Sequence, residues 1–115
     1  MHMSSPAFDQ VWKELTRALE LPKFRQIETL ARKVKNKVVN VSRKGITLCS
    51  EESKTGRERF IPRERFEETW QYLVRKQSAP FRTGNHGSIV GAIFVRCLSK
   101  RVAQTGPNEI SLLKD

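Results

Sequence analysis

Residues 88–98, Ser-Ile-Val-Gly-Ala-Ile-Phe-Val-Arg-Cys-Leu, form the longest apolar run in an otherwise basic and polar chain. A run this short, with Arg96 inside it, does not cross a bilayer, so it reads as a buried helix. At 100° per residue, Ile89, Val90, Ile93, Phe94, Cys97 and Leu98 fill one broad arc. Ser88, Ala92, Arg96 and Ser99 fill the narrow remaining strip. A helix apolar over most of its circumference has to be wrapped by other elements. Two readings of the strip stand side by side. It is the least greasy edge of a core helix, left in water, or it is a surface of small residues and one arginine that a flat anionic ligand approaches closely.

Charge is what brings an anionic ligand into the argument. The chain carries 22 Lys and Arg against 12 Asp and Glu, a formal net charge of +10 over 115 residues. An excess of that size attracts polyanions: nucleic acid, an anionic membrane surface or an acidic protein. It is also uneven. Residues 1–22 are slightly acidic, whereas residues 23–65 hold thirteen Lys and Arg against five Glu. These bases alternate with strand-forming residues instead of running together, so they belong to a folded face and not to a tail. Hydrophobic content is 37%, and the apolar residues come in periodic blocks, which argues for a folded chain. The expected organisation is one domain over residues 4–115, with Met1-His2-Met3 read as a vector remnant ahead of a native Met3; the domain is also compatible with being a piece of a larger protein.

Along the chain, Ser5-Pro6 starts a helix over residues 6–20, with Phe8, Val11, Trp12, Leu15, Ala18 and Leu19 at helical spacing. Residues 24–36 fit a helix face through Phe24, Ile27, Leu30, Ala31 and Val34, and helix is the expectation there. A strand opening at Ile27-Glu28-Thr29 and turning at Lys33-Val34-Lys35-Asn36-Lys37 is the alternative. Val38, Val39 and Val41, then Arg43-Lys44-Gly45, then Ile46, Leu48 and Cys49 read as two strands and a tight turn in which Gly45 supplies a positive φ. A third strand runs through Arg59, Phe60 and Ile61. Pro62 opens the next helix, with Phe66, Trp70, Leu73 and Val74 on its buried face, acids at its start and Arg75-Lys76 at its end. Residues 77–87 read as a loop, Ser88 as the cap of the apolar helix, and residues 101–113 as a hairpin turning at Gly106-Pro107-Asn108. The fold class is therefore α+β, a small antiparallel sheet with amphipathic helices. Its C-terminal half is winged-helix-like, a helix-turn-helix followed by a hairpin.

Three constellations bear on chemistry. Arg82-Thr83-Gly84-Asn85-His86-Gly87-Ser88 precedes a helix, where free backbone N–H groups favour an anion and Arg82, Asn85, His86 and Ser88 add donors. It has neither the Walker lysine nor dinucleotide glycine spacing, so a nucleic-acid phosphate fits it better than a bound nucleotide; a capped loop without ligand is the plain alternative. The second is the basic set Arg32, Lys33, Lys35, Lys37, Arg43, Lys44, Arg57 and Arg59, suited to phosphates and indifferent to sequence. As edge charges, the same residues also guard against strand pairing between molecules. The third, Glu52-Ser53-Lys54, resembles the Glu-x-Lys step of metal-dependent nucleases, but the only Asp residues, Asp9 and Asp115, are far along the chain. Two cysteines and one internal histidine make no zinc site and no catalytic triad.

The reading is a non-enzymatic, intracellular DNA-binding domain without metal or cofactor. Double-stranded DNA is the expected partner, with a possible fused or associated catalytic module and no membrane. The basic sheet holds phosphates, and the apolar helix offers Arg96 to a base edge from the strip it shares with Ser88, Ala92 and Ser99. Duplex DNA is preferred to RNA because the aromatics lie on buried stripes. The alternatives are a basic protein that binds or inhibits an acidic protein partner, an RNA-binding protein, and a metal-dependent nuclease.

Overall fold

Pro6 opens the first helix, α1 (Pro6–Leu19), where its missing N–H would have had no helical partner in any case. Phe8, Val11, Trp12, Leu15 and Leu19 lie on one side of α1 and are buried, as their spacing predicts. A computed structural model describes residues 6–29, 33–51, 56–80, 87–106 and 109–113.

After α1 the chain makes a short 3-10 turn, Pro22–Phe24, and enters strand β1 (Gln26–Glu28), which pairs antiparallel with β2 (Lys35–Val41). The helix expected over residues 24–36 is thus replaced by the strand alternative. Ile27 is fully buried between exposed Gln26 and Glu28, the Val38 amide donates to the Arg25 carbonyl, and Lys33 sits in the left-handed region at φ 58°. Pairing with a neighbouring strand outweighs a periodicity that fitted either state.

β3 (Gly45–Ser50) and β4 (Glu58–Pro62) complete a four-stranded antiparallel meander in the order β1-β2-β3-β4. The β2–β3 turn closes through the Ser42 amide and the Gly45 carbonyl. Glycine is required at position 45 chiefly by close approach. A Cβ there would run into the Ile61 carbonyl and stand 2.6 Å from the Phe60 ring.

Helix α2 (Arg63–Lys76) follows directly, with Glu64 in its first turn and Arg75 and Lys76 in its last. Phe66, Trp70 and Leu73 are buried, but Val74, expected beside them, is 50% exposed. The i, i+4, i+7 stripe passes through residues 66, 70 and 73, and Val74 falls one step off it. Gln77 caps α2 in a left-handed conformation. The stretch from 77 to 87 holds a strand as well as loop: β5 (Ser78–Pro80) joins β6 (Val102–Gly106) and β7 (Glu109–Leu112) in a three-stranded antiparallel sheet ordered β5-β7-β6.

The apolar run is helix α3 (Gly87–Cys97), and it touches α1, α2, β1 and β6, so it joins both sheets. Ile89, Val90, Ile93, Phe94 and Leu98 are buried, and so is Ala92, at 0% exposure. Ring contacts run from Phe8 to Trp12, Phe66, Phe94 and Trp70 at 5.4–6.3 Å between centroids, tying α1, α2 and α3 into one core. The architecture is α+β, three helices with two small antiparallel sheets.

Candidate nucleic-acid interface

Strand geometry sorts the basic residues before any ligand is considered. Side chains alternate along a strand and directly opposed residues share a face. Val41, Ile46 and Ile61 form one row, and Val38, Leu48 and Arg59 the next, on the face that carries the core. The opposite face carries the row Gln26, Lys37, Cys49 and Glu58, then Asn40, Thr47 and Phe60, with Lys35 opposite Glu28. Lys35, Lys37, Asn40 and Phe60 are exposed there.

Of the basic set, Lys33 is exposed at the approach to β2, Lys35 and Lys37 stand on this outer face, and Arg43 and Lys44 occupy the β2–β3 turn, Lys44 beside Gly45 and Arg43 on the wall of a groove toward α1. Positive charge therefore lies along β2 and at its two ends, with Glu28, Glu58 and Glu51, which accepts a hydrogen bond from Gln26, the described acids among it. Arg57 is exposed just ahead of β4. Arg59 is exposed too, but its register puts it on the core side of an edge strand. Arg32 lies outside the described residues, as do Arg82, Asn85 and His86; Ser88 falls in the first turn of α3 and not at a cap position ahead of it. Glu52 also lies outside the described residues, and among those described no group of His, Cys, Asp or Glu gathers to hold a metal ion.

The α3 strip is not continuously exposed. Ala92 is sealed inside the core, because a helix contacted by two helices and two strands uses its small residues for close packing. Arg96 and Ser99 do reach solvent. The Arg96 guanidinium lies 5.8 Å from the centroid of the Phe24 ring, a cation–π distance that gives it a structural contact. Beside it, burial pushes the Cys97 thiol up to about 12, against the opposing pull of the Arg96 charge. Helices α2 and α3 and the β6–β7 hairpin follow one another in the expected order, with strand β5 between the helices and α3 largely enclosed.

Other bases are engaged within the fold. Arg63 donates to Asp9 and lies over the rings of Phe8 and Trp12. Arg101 donates through Nε and Nη2 to the two oxygens of Glu14, at 2.9 and 2.7 Å, and these hydrogen bonds hold the Glu14 carboxyl below its usual range. An open groove of about 550 Å³ separates α1 from the β2–β3 turn, with Lys13, Thr16, Ser42 and Arg43 on its walls.

Phe60 is the residue that sequence reasoning passed over. It is 50% exposed on the outer face, with its ring packed over Gly45. The signal was available, since in Arg59-Phe60-Ile61 a buried Ile61 sends its neighbour to the other side. Among the described residues no helix is long and apolar enough to cross a membrane. Compared with known proteins, the chain matches no protein-family model, no curated protein and no solved structure.

Proposed function

We propose that this chain is a non-catalytic DNA-binding module that grips phosphates with the outer face of its four-stranded sheet. The observation that carries the reading is the alignment of Lys33, Lys35, Lys37, Arg43 and Lys44 along one strand and its two ends, on a chain of net charge +10. Seven residues of β2 at roughly 3.3 Å each cover about 23 Å, enough for several successive phosphates. Ammonium and guanidinium groups on a rigid strand meet phosphates without reading sequence, so they set affinity and register. Base readout by α3 is not part of the proposal, because Ala92 is buried and Arg96 already rests on Phe24.

The test is a salt titration of binding to a random duplex. Binding weakens steeply with salt, with a log–log slope of about −0.9 for each phosphate neutralised. Lys35→Ala with Lys37→Ala makes that slope shallower by about 2. No binding of any polynucleotide at low salt, with capture of an acidic protein in its place, overturns the reading.

A further inference from the structure

We infer that the outer face of the four-stranded sheet takes a single-stranded stretch of nucleic acid, with a base stacked on Phe60 and phosphates held by Lys35 and Lys37 on one side and Lys44 on the other. The inference rests on the nucleic-acid reading above and names the form of ligand.

The first support is the state of Phe60. It is half exposed on a surface made mostly of Lys, Asn, Thr, Gln and Glu, where exposed Val39 at the β2 bulge and part-buried Cys49 are the other apolar members, so the apolar area around its ring is small. A protein partner of ordinary size needs an apolar, charge-depleted centre, and one ring among lysines does not supply it. A nucleobase needs what is here: one flat apolar platform with cations within reach on either side.

The second support is the way the ring is held. Phe60 packs over Gly45, and the space a Cβ would take at position 45 is filled by the ring and the Ile61 carbonyl. Turn residue Lys44 immediately precedes that glycine, so positive charge at the β2–β3 turn is fixed beside the strand that carries the aromatic platform. An aromatic side chain packed against the backbone of the paired strand loses little freedom when a base lands on it. Thr47 and Asn40 continue the row across the sheet and offer hydrogen-bonding groups beside the ring. Bases inside a duplex are already stacked on one another and do not reach a side chain on an open sheet; unpaired bases do.

Fluorescence anisotropy on the full chain tests this, with labelled DNA and RNA single strands of about ten nucleotides and the same DNA sequence as a duplex. Single strands are expected to bind at least tenfold tighter than the duplex, and the DNA and RNA arms tell which sugar is favoured. Phe60→Ala lowers single-strand affinity by about 5–150-fold and leaves the salt slope in place, since a stacking contact releases no counterions. Phe60→Trp keeps the affinity, and Phe60→Leu, which preserves bulk over Gly45, loses it. Thermal melts confirm that the variants are folded. Equal affinity of Phe60→Leu and the parent, or a duplex that binds as tightly as the single strand, overturns this inference while phosphate binding stands. Failure of every polynucleotide to bind removes both.

Discussion

Gly45 is the position where a single methyl group asks most of this fold. Gly45→Ala adds a Cβ that meets two groups of different kinds: the Ile61 backbone carbonyl and the Phe60 ring, 2.6 Å away. The ring sits on a half-exposed side chain and yields only by giving up its packing over Gly45. The carbonyl belongs to β4, where Ile46 pairs with Ile61, and it moves only if the strands separate. Overpacking of this kind costs about 1–3 kcal/mol, and an unyielding backbone neighbour sets the expectation at about 2–3 kcal/mol. At this chain length that lowers the melting temperature by about 4 °C for each kcal/mol. Urea denaturation followed by circular dichroism measures it as a drop in midpoint at constant m-value. The same substitution in a Phe60→Ala background separates the two contacts. Removing the ring is expected to return less than half of the loss, the carbonyl clash accounting for the rest. A Gly45→Ala variant within about 0.5 kcal/mol of the parent, the range of an ordinary surface change, refutes the close-approach argument. It also weakens the case that Phe60 is pinned.

Two further perturbations check the core assignments. Ala92→Glu buries an uncompensated carboxylate and is expected to cost more than about 4 kcal/mol or to prevent folding, whereas Ser99→Glu on the exposed end of the same strip stays within about 0.5 kcal/mol; similar urea midpoints for the two would return Ala92 to the surface. The Cys97 thiol is held neutral by burial, with its folded value raised from 9.0 to about 12. The stability this confers is therefore complete below pH 9.0 and lost as pH rises toward 12, at up to about 1.4 kcal/mol per pH unit, while Cys97→Ala shows a shallower alkaline decline; parallel urea midpoints of parent and variant across that range count against a buried thiol.

The parts of this fold that were legible in the sequence are those where one periodicity had no rival. The stripe of α1 comes from spacing 3.6 and the strands β3 and β4 from spacing 2, while β2 forms where expected but buries only Val38 of its three valines, because a bulge at Val39 breaks the alternation. Residues 24–36 failed because Phe24, Ile27 and Val34 satisfy a helix and a strand equally well; the deciding interaction is with β2, which local pattern does not contain. β5 was missed for a related reason. Three residues ending in Pro80 carry no periodicity at all, and they form a strand only because β7 lies alongside them.

The site was less legible than the fold, and α3 explains why. A strip of small residues on an apolar helix has the same composition whether it admits a ligand or another part of the chain. What separates the two is how many sides of the helix are occupied, a property of the whole topology. With α1, α2, β1 and β6 around it, α3 has no open side at Ala92, and its role is to join the two sheets. In the proposed reading, the surface that α3 supports from behind is the one that meets nucleic acid. Helix α3 and α1 cover the core face of the sheet at β1 and β2. The lysines of β2 are thereby committed to the other side, next to the ring that the alternation of β4 sends there. The largely buried run of α3 thus bears on the proposed binding only indirectly: by helping to occupy one face of the sheet at β1, it leaves the other to the lysines of β2 and the Phe60 ring.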